Sequence, residues 1–330
     1  MPPLLRSILL SFSPLLLLLL SQTSSRPLPK GSHLDPSETP RYLHKFGYLP
    51  KPVTNFSDHS DPEFKSAVSL YQSNHGLAVS GKLDSATLAQ MSTPRCGVSD
   101  KITINNKNGN NNDSVVSHYA YFPGQPRWTR ARPVVLTYAL SPTNNIDYIP
   151  RPKVEAAVRR AFGRWARVIP VKFRPAEDYD AADVKLGFYR GDHGDGEAFD
   201  GVLGVLAHAF SPESGRLHLD AAERWAVDFG VEESDVAVDL ESVATHEIGH
   251  VLGLGHSAVK EAVMFPSLSP RSKKVELTVD DVEGVQALYG SNPNFNITSF
   301  LESETSYAVD SVRRSFMGNF VGVIVLLLCV

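Results

Sequence analysis

Three imidazoles and one carboxylate fall within a single short stretch of this chain, His246-Glu247-Ile248-Gly249-His250-Val251-Leu252-Gly253-Leu254-Gly255-His256. On a helix, His246 and His250 stand one turn apart on the same face, so both ring nitrogens reach one metal ion, and Glu247 projects beside them. Gly253 can take positive φ without a Cβ clash, which lets the chain leave the helix sharply and bring His256 round as a third ligand. Three neutral nitrogen donors leave the fourth tetrahedral position of zinc open, the mark of a catalytic rather than a closed structural site. Water bound there ionises at a pKa of about 7 instead of 15.7, with Glu247 as general base. The chemistry is a hydroxide aimed at a carbonyl.

Such a site needs elements to hold it. The pattern from 240 to 252 reads as the helix that carries the motif, and Arg151 to Val168 as a long amphipathic helix with Val154, Val158, Ala161, Trp165 and Val168 on one face. Asp280 to Tyr289 reads as a last helix, begun by acidic residues. Val134–Leu140, Val171–Phe173, Val184–Phe188, Leu203–Phe210 and Leu217–Leu219 are strand candidates. Strands and helices in this order suit an α+β (α/β-like) domain with a twisted, mainly parallel sheet, three helices and the site along one edge. Met264, in Val263-Met264-Phe265-Pro266, stands where a turn could close an apolar floor under the imidazoles.

Upstream lies a small helical region. Pro62 begins an amphipathic helix with Phe64, Ala67, Val68 and Tyr71 at helical spacing, stopped at Asn74-His75-Gly76, and Asp84 caps another helix from Ser85 to Met91. By itself this region could be a spacer or a wall-polymer binding module.

The chain begins with an export signal: Arg6, an apolar run from Ile8 to Leu20, then small polar residues, so residues 1–25 are expected to be removed. A net charge of −4 favours neither nucleic acid nor an anionic membrane surface as partner. There are two cysteines, Cys96 and Cys329, the second in a C-terminal apolar tail. In an oxidising compartment a lone Cys96 is either buried and inert or held by something else. Asn55, Asn112 and Asn296 head potential glycan acceptor tripeptides. Residues 104–117 are rich in asparagine without apolar period, the composition of an exposed segment open to proteolysis.

Between Gly191 and Trp225 the chain is crowded with further ligands: His193, Asp195, Asp200, His208, His218, Asp220 and Glu223. Three histidines and an aspartate suit a closed tetrahedral zinc site, whereas carboxylates with glycine-rich backbone carbonyls suit calcium.

From His246 to His256 and at Met264 the chain resembles the metzincins, and among them the matrix metalloproteinases or matrixins. The resemblance runs from about Arg41 to Gly290 and includes Pro94-Arg95-Cys96-Gly97-Val98-Ser99-Asp100, which is similar to the matrixin cysteine switch, with Ser99 where the family has proline. It implies that Cys96 ligates the catalytic zinc in a latent zymogen, that Arg95 and Asp100 pair to shape the loop, and that residues 26–117 form a propeptide ahead of a catalytic domain at 118–290. It also implies structural zinc on His193, Asp195, His208 and His218. Calcium would sit on Asp200, Asp220, Glu223 and the carbonyls of Gly201, Leu203 and Val205. Arg216 stands where the family has an aspartate for a second calcium, beside Asp183, which argues against that site.

By resemblance, an extracellular protein or peptide substrate adds itself as a strand along 206–210, and the side chain after the scissile bond enters a pocket beside His246. The loop 267–278 lines that pocket; Leu268 replaces a common tyrosine there, and Arg271, Lys273 and Lys274 are its basic residues. An activating protease would cut within the asparagine-rich segment. The stretch 291–330 leaves no room for the propeller domain many matrixins carry, so the minimal, plant-like form is implied. Its end, 316–330, would reach roughly 22 Å as a helix, short of the ~30 Å hydrocarbon core. That favours a glycosylphosphatidylinositol anchor signal over a weak single span, and an enzyme held at the outer face of the plasma membrane.

Overall fold

A computed structural model describes residues 34–50, 61–100, 119–298 and 300. Three helices, α1 (Thr39–Lys45), α2 (Pro62–Asn74) and α3 (Ser85–Met91), make up the N-terminal part. Asp61 caps α2 by accepting from the amides of Glu63 and Phe64, with Pro62 pre-set for the first turn, and Asp84 caps α3 through the amide of Thr87. The buried faces of α1 and α2 meet in a small core of Leu43, Phe46, Phe64, Ala67, Val68 and Tyr71. α1 was not foreseen: it is only about two turns long, and Pro36 and Pro40 both sit in first-turn positions, where proline is tolerated.

The remainder is a six-stranded sheet in the order β1-β5-β6-β4-β2-β3. β2 (Val134–Leu140), β3 (Val171–Pro175), β4 (Val184–Tyr189) and β6 (Arg216–Asp220) run parallel, while β5 (Val205–Ala209) is antiparallel to β6. β5 is shorter than the candidate Leu203–Phe210 because Leu203 takes φ 64°, which no strand residue can. β1, only Arg95–Cys96, pairs parallel with β5. Two further short strands, β7 (Trp225–Ala226) and β8 (Val238–Asp239), form a separate pair leading into α5.

Three helices serve the sheet: α4 (Arg151–Val168), α5 (Leu240–Val251) and α6 (Val279–Tyr289). α4 buries Val154, Ala157, Val158, Ala161, Phe162, Trp165 and Val168, the stripe its periodicity demands. α5 is buried on every face, and Trp165 fixes its height by donating its indole N–H to the carbonyl of Thr245 at 2.9 Å. Glu241, buried on α5, is neutralised by Arg160 and Arg164 of α4. An unpaired carboxylate there would cost several kcal/mol, so the pairing fixes how the two helices register.

Candidate active site and metal centres

α5 begins where Asp239 accepts from the amide and hydroxyl of Ser242, and it carries His246, Glu247 and His250 on its covered face. Gly253, at φ 106°, turns the chain out of the helix; a Cβ there would lie 2.2 Å from the carbonyl oxygen of Pro126, so no other residue fits. His256 is thereby returned to the same pocket.

Each ring has its Nδ1 engaged. His246 Nδ1 lies 2.7 Å from the carbonyl of Val263, His250 Nδ1 2.8 Å from that of Leu254, and His256 Nδ1 2.6 Å from Asp100 Oδ1. Those acceptors place the ring proton on Nδ1 and leave the Nε2 lone pairs pointing inward. His250 Nε2 and His256 Nε2 stand 3.2 Å apart, Cys96 Sγ is 3.3 Å from His250 Nε2, and His246 Nε2 is buried without a hydrogen-bond partner. All four donor atoms lie within 4.8 Å of one another. Lone pairs gathered at this separation repel unless a cation sits among them, so the donor set fits a tetrahedral zinc ion. Burial pushes His246 and His250 well below the ordinary imidazole range and so keeps them neutral ligands. Burial also lifts the Cys96 thiol, and Glu247 beside it adds to the effect; a bound zinc supplies the charge that makes the thiolate the stable form.

Glu247 is buried on the same face, its carboxylate oxygens held by no hydrogen bond, and burial raises its pKa to about 8. Met264 packs beneath α5: a Cβ on Gly249 would lie 2.2 Å from its sulfur. Asp281, which sequence reading passed over, holds that turn by accepting from the amides of Val263 and Met264 at 2.9 Å each. The signal was the capping box at the start of α6, where Thr278 and Asp281 bond reciprocally.

A second cluster gathers His193, Asp195, His208 and His218, again within 4.8 Å. Asp195 Oδ2 lies 2.9, 2.7 and 2.8 Å from His193 Nε2, His208 Nε2 and His218 Nδ1. His193 Nδ1 is spent on the carbonyl of Gly191, so its Nε2 presents a lone pair to the carboxylate and to His218 Nδ1, 3.1 Å away. A cation resolves that opposition, and a closed tetrahedral set of four protein donors suits structural zinc.

Asp200, Asp220 and Glu223 gather beside the 200–205 loop, outside the two tight clusters found among the described residues. Asp200 Oδ1 accepts from the amide of Val205, Asp220 Oδ2 from Gly201, and Glu223 Oε1 from Leu203, while Glu223 Oε2 is buried with no partner. Burial raises Glu223 to about 8, with Asp220 and Asp200 adding to the effect; a hard cation would relieve both the orphaned oxygen and the crowded charge. Asp183, by contrast, is already neutralised by Arg130 at 2.7 Å and bonded to Thr137, and Arg216 is turned onto the ring of Phe210.

Arg95 and Asp100 brace the loop that carries Cys96. Arg95 Nη2 and Asp100 Oδ1 are 2.5 Å apart, both buried, and the guanidinium lies 3.6 Å over the ring of Phe46. Tyr48, unforeseen, donates its hydroxyl to Asp100 Oδ2 at 2.8 Å. Of the three potential glycan acceptors, Asn296 is exposed, whereas Asn55 and Asn112 lie outside the described residues.

A mainly parallel sheet with a buried helix that presents three imidazoles and a glutamate defines a metallohydrolase. Residues 127–290 match the matrixin family of peptidases, and residues 35–91 match a putative peptidoglycan binding domain. Metalloendoproteinase 1-MMP of Arabidopsis thaliana is 55% identical over 300 residues, covering 90% of this chain and 80% of that protein. Metalloendoproteinase 4-MMP of the same plant is 56% identical over 286 residues, 87% and 80%. Human Matrilysin is 34% identical over 285 residues, 84% and 95%. The chain belongs to the matrixin family and is a zinc metalloendopeptidase. Matrixins use catalytic and structural zinc and calcium, and His246, His250 and His256 fit the catalytic ion.

Proposed function

We propose that this enzyme is made as an exported, latent zymogen, with residues 26–117 as propeptide and 118–290 as catalytic domain, and that Cys96 closes the catalytic zinc until the propeptide leaves. The observation that carries the reading is the convergence of Cys96 Sγ with three inward Nε2 atoms in one buried pocket, beside Glu247. His246, His250 and His256 hold the catalytic zinc; His193, Asp195, His208 and His218 hold the structural one. Calcium takes Asp200, Asp220, Glu223 and the carbonyls of Gly201, Leu203 and Val205, and Met264 floors the site.

Zinc bound here supplies the positive charge that acidifies water and polarises a carbonyl. Glu247 takes the proton of the attacking water and passes it to the departing amine. The substrate lies along β5, taking the edge that β1 now occupies, with the side chain after the scissile bond in the pocket beside His246.

Extracellular or cell-surface proteins are the proposed substrates, and an unidentified protease cuts between 101 and 118. The export signal at 1–25, that linker and the lipid-anchor signal within 291–330 lie outside the described residues, apart from 291–298 and 300; no described helix is long and apolar enough to cross a membrane. Glu247→Ala tests the reading: zinc content should be unchanged and peptide cleavage lost, and retained cleavage would refute the assignment.

A further inference from the structure

The pocket beside His246 is lined by Leu206, Val243, Val263, Phe265 and Leu268, an apolar shaft, with Lys274 at its boundary. Of the three basic residues on the 267–278 loop, two are committed elsewhere. Arg271 donates to the carbonyls of Phe229, Glu232 and Ser234, and Lys273 approaches Asp239 and Glu241 at 4.0 and 3.9 Å. Of the three, Lys274 is the one that lines the pocket. Its amide is pinned to Ser242 Oγ of α5 at 2.8 Å, its Nζ donates to the carbonyl of Lys260 at 2.8 Å, and Nζ stands 5.0 Å from the ring centroid of Phe265. Among the described residues no carboxylate comes within ion-pair distance of Nζ.

An ammonium has three N–H donors, and one is used. Two remain beside an apolar shaft that in the uncut chain also has Cys96 in its lining. A side chain entering this pocket therefore meets, beside the ring of Phe265, a cation with unspent donors, on which Asp281 and Glu261 act at longer range.

Resting on the endopeptidase reading above, we propose that Lys274 is a specificity-determining residue: its ammonium closes the pocket and selects, in the residue after the scissile bond, a tip that accepts hydrogen bonds over one that carries positive charge. Leucine fits without using the donors, glutamine or glutamate uses them, and arginine meets like charge.

The test uses enzyme matured from the full chain and four peptides that differ only in leucine, glutamine, glutamate or arginine after the scissile bond. For the natural enzyme, kcat/KM for glutamine should exceed that for arginine by on the order of tenfold or more, the size of a charge-assisted hydrogen bond. Lys274→Met should bring that ratio close to one, and Lys274→Glu should invert it. The leucine peptide and the zinc content report whether each variant is intact. An unmoved ratio in variants that still cleave the leucine peptide overturns the proposal, as does a natural enzyme that prefers arginine. Failure of the natural enzyme on all four peptides would instead strike at the endopeptidase reading.

Discussion

Asp100 Oδ1 and His256 Nδ1 lie 2.6 Å apart, which ties the loop carrying Cys96 directly to one of the three inward-facing imidazoles. The same carboxylate receives Arg95 at 2.5 Å and the Tyr48 hydroxyl at 2.8 Å. Burial alone would raise the Asp100 pKa, but Arg95 and His256 outweigh it and hold the carboxyl well below the carboxylate range. One side chain thus orients an imidazole, balances a buried guanidinium and anchors the N-terminal helices.

Asp100→Asn should therefore unlock latency more than any surface change. It leaves the buried Arg95 guanidinium without its counter-charge, which costs on the order of 3–5 kcal/mol, and weakens the hold on His256. The expected outcome is peptide-cleaving activity in the uncut chain, with Tyr48→Phe giving a smaller effect of about 1 kcal/mol. Unchanged latency in Asp100→Asn would show that the thiol alone suffices.

Cys96→Ser removes the soft ligand while keeping the loop contacts to β5. Activity should appear without cleavage between 101 and 118, measured on a peptide with the chain length checked by gel. A variant that stays silent would argue against thiolate ligation.

His75 makes the docked state sensitive to acid. It is 2% exposed, stacks on Tyr71, meets the ring of Phe265 edge-on, and is lowered to about 4 by burial, against an opposing pull from Asp100. The unfolded or undocked ring binds its proton near 6.5 and the buried one near 4, so stability falls as pH drops through that window and is fully present above it. The loss should reach about 3 kcal/mol at the bottom. Replacing His75 with phenylalanine should flatten this component of the unfolding curve between pH 6.5 and 4; an equal slope in both proteins would refute it.

The two zinc clusters should separate by consequence. His218→Ala breaks the closed set around Asp195, so metal analysis should fall from two zinc ions per chain to one, and the melting temperature should drop by several degrees. A chelator strong enough to strip the catalytic ion alone should abolish cleavage with a smaller thermal shift. Two ions retained in the variant would dissociate those residues from metal binding.

The sequence disclosed much of this because metal chemistry is local in type and spacing: His246, Glu247, His250 and His256 are read from one stretch, and Gly253 explains their return. α4 and β2 were equally plain, since Arg151–Val168 and Val134–Leu140 carry strong periodicity. β1 was not, because two residues have no period and Arg95–Cys96 becomes a strand only by pairing with β5, more than a hundred positions away in sequence. Tyr48 and Asp281 were missed for the same reason. Each acts through a contact with a distant loop, Asp100 for one and the Met264 turn for the other; the spacing of Thr278 and Asp281 reports a helix cap but not the turn that Asp281 holds. Lys274 needed the loop's path to be distinguished from its neighbours Arg271 and Lys273.

In the zymogen proposed above, β1 would hold the edge of β5 that a substrate strand needs. Tethered to the same chain, it competes for that edge at an effective concentration in the millimolar range, far above most encounters with foreign polypeptide. A cut between 100 and 119 would leave the contacts of β1 in place yet turn the competition bimolecular, so dilution would complete what the cut begins.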